Sequence, residues 1–175
     1  MPATEGDAFS YIDIAIMKVD PEKIMPVEVA GNSDFEKVAT LQSVCIVGFP
    51  GPPYERTGIV DGVDWEWVDQ HLFGQAYGFK RVAPGVVHRS SGTIGGDEIG
   101  WVFGHDATTL GGNSGSGVFA WHDGGGAFGL HFAGNSLDTN CAHGFSSPLA
   151  RTLLRALGIL CEGRAGPRGN EVDEA

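Results

Sequence analysis

Apolar positions along the chain fall into short runs broken by glycine, proline and acidic residues. Residues 9–19, FSYIDIAIMKV, alternate so that Ile12, Ile14 and Ile16 share one face and Asp13, Ala15, Met17 and Val19 the other. This predicts a strand buried on both sides, with one carboxylate on an apolar face. Residues 20–42 carry prolines and acids and read as an irregular connector, with room for a helical turn near 34–41. A strand is predicted over 44–49, stopped by Pro50, Gly51, Pro52 and Pro53. Residues 54–78 mix aromatics and acids and predict either a strand or a long loop. Strands are predicted over 79–88 and 98–105, separated by the loop SSGTIGGD. After the loop DATTLGGNSGSG at 106–117, VFAW and AFGLHFAG flank HDGGG as a hairpin. The period then changes. Leu149, Leu153, Leu154 and Leu157 fall on one helical face, Ser146 or Ser147 can cap, and Pro148 suits a first turn. The helix is expected over 148–161, with a polar, disordered tail at 162–175. The order is all-β followed by one C-terminal helix.

Glycine supplies 28 of the 175 residues without a collagen-like period, which fits many short strands joined by turns. The net charge of -11 argues against a nucleic-acid partner and against docking on an anionic membrane, both of which need a positive surface. No apolar run approaches the ~18 residues of a spanning helix. The opening MPATEGDAFS has neither the basic region nor the apolar core of a signal peptide, so a cytoplasmic location is expected if that start is genuine. Cys45 lies in an apolar run and reads as a buried free thiol, while Cys141 and Cys161 leave a bridge open. The cysteine spacings match no zinc pattern, and no metal or cofactor is expected. The glycine-rich loop is not followed by GK[ST], which weakens a phosphate-binding reading.

The residues GGNSGSGVF at 111–119 carry the strongest chemical signal. A nucleophilic serine needs an exposed hydroxyl on a sharp turn, backbone N–H groups where an oxyanion forms, and no bulky neighbour. Gly111, Gly112, Gly115 and Gly117 around Ser114 meet these needs. The loop runs into an apolar strand and then a second, and in this order it resembles the trypsin/chymotrypsin superfamily of serine proteases. The resemblance is closest to the bacterial branch that includes the glutamyl endopeptidases. The segment GGNSGS fits that family's G-[DN]-S-G-[SG] pattern, GLHFAGN its substrate-binding strand, VGFPG the opening strand of its second barrel, and YIDIAIMK the segment with its triad aspartate.

The resemblance implies a fold: the C-terminal Greek-key barrel of a two-barrel protease, over 43–147, plus the closing helix. Residues 1–20 would be a remnant of the first barrel and 21–42 the inter-barrel connector. It also implies roles. Ser114 would be the nucleophile, Asp13 the triad aspartate, and the N–H groups of Gly112 and Ser114 the oxyanion hole. Phe132, Ala133 and Gly134 would present the edge that pairs with a peptide substrate. Thr109 and His131 match a threonine and a histidine that help bind a substrate glutamate in the glutamyl endopeptidases.

One departure matters. The family order is His, Asp, Ser, yet all six histidines, His71, His88, His105, His122, His131 and His143, follow Asp13. His105, which precedes the Ser114 loop in GHDATT, is not expected to serve as base. Most of the first barrel is also absent. The chain therefore reads as a truncated or split protease, inactive or nearly so alone, whose missing first barrel supplies the histidine. The other reading is a non-catalytic peptide-binding or scaffolding module built on the same barrel.

Overall fold

The computed structural model describes residues 14–15, 20, 40–53, 58–60, 62–121, 126–134 and 139–158. Six strands close a barrel: β1 (Ser43–Gly48), β4 (Arg81–Arg89), β5 (Val102–His105), β6 (Gly117–Ala120), β7 (Ala127–Gly134) and β8 (Asn140–Gly144). All neighbours are antiparallel, in the order β1-β4-β5-β8-β7-β6, with β6 returning to β1. Between β1 and β4 lie the two-residue strands β2 (Ile59–Val60) and β3 (Val63–Asp64), then helix α1 (Trp65–Val68) and a wide helical turn over Asp69–Phe73. Helix α2 (Pro148–Ala156) follows the barrel.

Alternation fills the barrel. In β1, Val44 and Ile46 point inward, and they pack with Val87, Phe103, Ala107, Val118, Phe128 and Ala142. Burial of such side chains contributes about 1.5–3 kcal/mol each, which explains why a short-stranded sheet closes on itself. Cys45 falls on the other face of β1 and is half-buried rather than buried, because the alternation gives the interior to its neighbours. Cys141 is a buried free thiol. A second cluster of Ile94, Trp101, Val102, Cys141 and Ala150 seats α2. Ser147 caps α2 by accepting from the Ala150 N–H at 3.2 Å, with Pro148 in the first turn.

Two segments differ from the sequence expectation. The strand expected over 98–105 begins only at Val102, because Asp97 accepts from the Gly100 N–H at 3.0 Å and the Val102 N–H at 2.8 Å and so folds 97–101 into a turn. Residues 54–78, expected as a strand or a long loop, hold the short pair β2 and β3 and then helix α1, capped by Asp64 accepting from the Trp67 N–H at 3.0 Å. Of the strand expected over 9–19, only Ile14 and Ala15 are described. Neither is in a strand, and Ile14 packs against the cluster of Ala127, Phe145 and Leu154. Asp13, His122, Cys161 and the expected tail lie outside the described residues.

Candidate functional site

The loop between β5 and β6 is a clamped turn. Within it the Asn113 N–H donates to the Leu110 carbonyl at 3.1 Å and the Ser116 N–H to the Asn113 carbonyl at 2.9 Å. From β7, the His131 carbonyl accepts from the Gly115 N–H at 2.8 Å and the His131 N–H donates to the Ser116 carbonyl at 2.9 Å. From the end of β1, the Gly51 N–H donates to the Gly111 carbonyl at 2.7 Å. The turn takes φ 92° at Gly112 and 87° at Gly115, values that side chains with a Cβ rarely adopt. Asn113 is buried and its amide donates to the Leu110 carbonyl at 3.2 Å, which locks the residue before the serine.

Ser114 stands exposed at the tip of this turn, with its hydroxyl donating to the Phe132 carbonyl at 3.2 Å. A bulge in β7 presents that carbonyl: His131 pairs with Ala142 and Ala133 with Cys141, so Phe132 is the extra residue between them. Bulges turn a strand's groups out of the ladder, and here the turned carbonyl faces the loop. Among the described residues, the N–H groups of Gly112 and Ser114 make no hydrogen bond. They are the two that the resemblance assigns to an oxyanion.

Thr109 and His131 stand differently from the sequence expectation. The Thr109 hydroxyl lies 2.8 Å from Asn140 Oδ1, and Asn140 Nδ2 donates to the Ala107 carbonyl at 2.8 Å. His131 is only 3% exposed, with its Nδ1 3.2 Å from His105 Nε2 and a further hydrogen bond to the Cys141 backbone. Burial pushes the His131 imidazole down to about 4, partly offset by that backbone bond, so it is neutral near pH 7. Both groups expected to grip a substrate carboxylate are therefore engaged with protein partners. Sequence reasoning missed Asn140. Its β-strand was not foreseen, and only the pairing of Asn140 with Gly134 brings it to the site.

No histidine or carboxylate hydrogen-bonds Ser114 among the described residues. His105 is fully buried in the barrel, and its Nδ1 has no partner. Burial first, then the nearby His131 and His88, pushes it down to about 3, against a smaller opposite effect of Asp106. It does not act as base for Ser114. A cavity of about 420 Å³ touches the loop through Thr108 and Asn113 and is otherwise lined by residues such as Ile46, Leu72, Phe73 and Arg81. It includes neither Ser114 nor β7, so it is separate from the serine site. Among the described residues no group of three or more His, Cys, Asp or Glu could hold a metal ion.

No protein-family model matches the chain. It is 35% identical over 164 residues, 90% of its own length, to a protein of Lysobacter enzymogenes named as a probable serine protease. The chain spans about two fifths, 41%, of that relative's length. Taken with the mostly β, six-stranded closed barrel and its short helix, this likeness supports a serine protease family for the chain.

Proposed function

We propose that this chain is the nucleophile-bearing barrel of a chymotrypsin-like serine endopeptidase. The observation that carries the reading is Ser114: an exposed hydroxyl on a glycine-supported turn, held to a bulged strand edge, beside two N–H groups that make no other bond. The strand order supports a Greek key, since β6 returns to lie beside β1 after the consecutive run β1, β4, β5.

In the proposed reaction Ser114 Oγ attacks the scissile carbonyl, and the Gly112 and Ser114 N–H groups stabilise the oxyanion. The peptide C–N bond breaks to give an acyl-enzyme and a free amine, and water then hydrolyses the ester. The substrate backbone pairs with the Phe132–Ala133–Gly134 edge. The base is a histidine of a first barrel, oriented by Asp13 and supplied by further protein. Two observations support that assignment: the relative is more than twice as long, and Phe49, Leu72, Phe79 and Val82 are 52%, 53%, 65% and 57% exposed, apolar surface suited to cover by another unit. The glutamyl endopeptidase branch gains less support, because Thr109 and His131 are engaged elsewhere.

Without a base the serine is a weak nucleophile near neutral pH, so the 175-residue chain is expected to turn over casein little or not at all. The test is a fluorophosphonate probe read by intact-protein mass spectrometry, with free imidazole as an added base. Labelling should be slow, should rise with imidazole, and should vanish in Ser114→Ala. Equal labelling of Ser114→Ala would remove Ser114 as nucleophile. An unlabelled wild type that still binds peptides would favour the non-catalytic binding module.

A further inference from the structure

The Ser114 loop is clamped through one residue of β7. The His131 carbonyl accepts from the Gly115 N–H at 2.8 Å and the His131 N–H donates to the Ser116 carbonyl at 2.9 Å. The next carbonyl, of Phe132, receives the Ser114 hydroxyl. On that edge the ladder with β6 ends at the Gly117–Leu130 pair, so these bonds are what tie residue 131 to the loop. The His131 side chain anchors the other end. Its buried ring meets His105 Nε2 through Nδ1 at 3.2 Å and bonds to the Cys141 backbone. The bond to Cys141 favours the protonated ring, so the ring donates it and the Cys141 carbonyl accepts. With Nδ1 turned to His105, the donor is Nε2–H. Nδ1 of the neutral ring is then an acceptor, and His105 Nε2–H must donate to it. His105 Nδ1 keeps a bare lone pair, buried and without a partner.

This chain of bonds holds two protons and has no place for a third. A proton on His131 Nδ1 would set two N–H groups against each other across 3.2 Å. One on His105 Nδ1 would make a buried cation with nothing to accept from it. The surroundings do not compensate. From β4 come His88 and Arg89, and from β8 come Cys141 and His143, whose ring stacks on Phe132 at 4.0 Å. Asp106 beside His105 is exposed, its Oδ1 accepts from the Val86 N–H at 2.6 Å, and its pull is smaller than the effect of burial. Resting on the reading of Ser114 as nucleophile, we propose that His105 and His131 are positioning residues that form a proton-sensitive latch on the Ser114 loop. With both rings neutral the latch keeps the loop in its clamped shape, and one added proton releases it. Once released, the His131 ring reaches water, where an imidazole titrates near ~6.5. The latch is therefore complete above that pH and loosens as pH falls toward 4.

The experiment is amide hydrogen exchange of the ¹⁵N-labelled chain, followed by NMR as pH is lowered. Opening at Gly115 and His131 should rise roughly tenfold per pH unit below about pH 6, because one proton is taken up. It should exceed the opening at Val87, whose N–H donates to the Gln42 carbonyl at 2.9 Å and reports unfolding of the barrel. It should also be insensitive to low urea, which marks a local event. Long-range ¹H–¹⁵N spectra near neutral pH should find both rings protonated at Nε2 alone. His131→Gln keeps a donor for Cys141 and an acceptor for His105 but takes no proton, so its Gly115 opening should stay level with pH. His105→Leu should open Gly115 about tenfold more near neutral pH, the worth of one lost hydrogen bond, and His105→Gln, which retains the donor, should restore it. That pair keeps the test sound if His131→Gln does not fold. Level Gly115 exchange in the wild type, opening equal to that of Val87, or a ring protonated at Nδ1 overturns the latch. Those outcomes leave the nucleophile standing. It falls only if Ser114→Ala labels with fluorophosphonate as the wild type does.

Discussion

Replacing Gly112 and Gly115 separately by alanine isolates the clamp on the Ser114 loop. Both glycines have left-handed backbone, φ 92° and 87°, so each alanine incurs a similar conformational strain of about 1 kcal/mol or somewhat more. Their surroundings differ. A Cβ on Gly115 meets nothing within 4 Å, whereas one on Gly112 lies 2.8 Å from the Gly51 nitrogen and 2.9 Å from the Phe49 oxygen. Those are backbone atoms at the end of β1, pinned by the Gly51-to-Gly111 hydrogen bond, and they cannot rotate away as a side chain would. Overpacking of this kind adds about 1–3 kcal/mol. Gly115→Ala should therefore destabilise by about 1 kcal/mol and Gly112→Ala by about 2–4 kcal/mol. With a urea dependence near ~2 kcal/mol per molar, the two midpoints should differ by about 1 M. Urea unfolding followed by tryptophan fluorescence measures this directly. Gly112→Ala should also slow fluorophosphonate labelling more than Gly115→Ala, because the shift moves a proposed oxyanion N–H. Equal midpoints would refute the reasoning, since the Phe49–Gly51 segment would then not press on the loop.

Further outcomes follow from the same structure. His105 and His131, lowered in the fold to about 3 and 4, take up protons on unfolding, so stability is complete above about pH 6.5 and falls as pH drops toward 4. A urea midpoint that stays level from pH 7 to 5 would contradict their burial, and His105→Gln should flatten the fall. Ser147→Ala removes the cap of α2 and should lower stability by about 1 kcal/mol in urea unfolding. Burial pushes the Cys141 thiol up to about 11, so in a Cys161→Ser background a disulfide reagent should modify half-buried Cys45 first and reach Cys141 only on unfolding.

Patterning made much of the barrel legible. The alternation of SVCIVG, the hairpin of VFAW with AFGLHFAG, and the leucine face behind Pro148 each specify an element by local sequence. Strand β8 was not legible. NCAHG has no β-branched residue and forms a strand because β5 and β7 each leave an edge for it. The start of β5 was misplaced for a related reason, since the two carboxylate oxygens of Asp97 hold a turn that apolar content does not signal. The Ser114 loop was legible because its requirement is backbone shape, and glycine records backbone shape in the sequence.

Side-chain roles in the pocket are written less directly. A threonine hydroxyl can donate or accept, and an imidazole takes its role from what each nitrogen meets. Residue type therefore leaves Thr109 and His131 open, and their partners decide. For Thr109 the decisive partner lies 31 residues away on the one barrel strand that the sequence pattern did not reveal. For His131 it is another buried histidine, whose neutrality follows from the same barrel interior that removes it from Ser114. The dependence runs in one direction: Ala107 fixes Asn140, Asn140 fixes Thr109, and the absence of a Cβ at Gly134 leaves room for the Asn140 amide. A single carbonyl at the root of that chain thus decides which groups of Asn140 and Thr109 donate and which accept, and no local sequence signal records it.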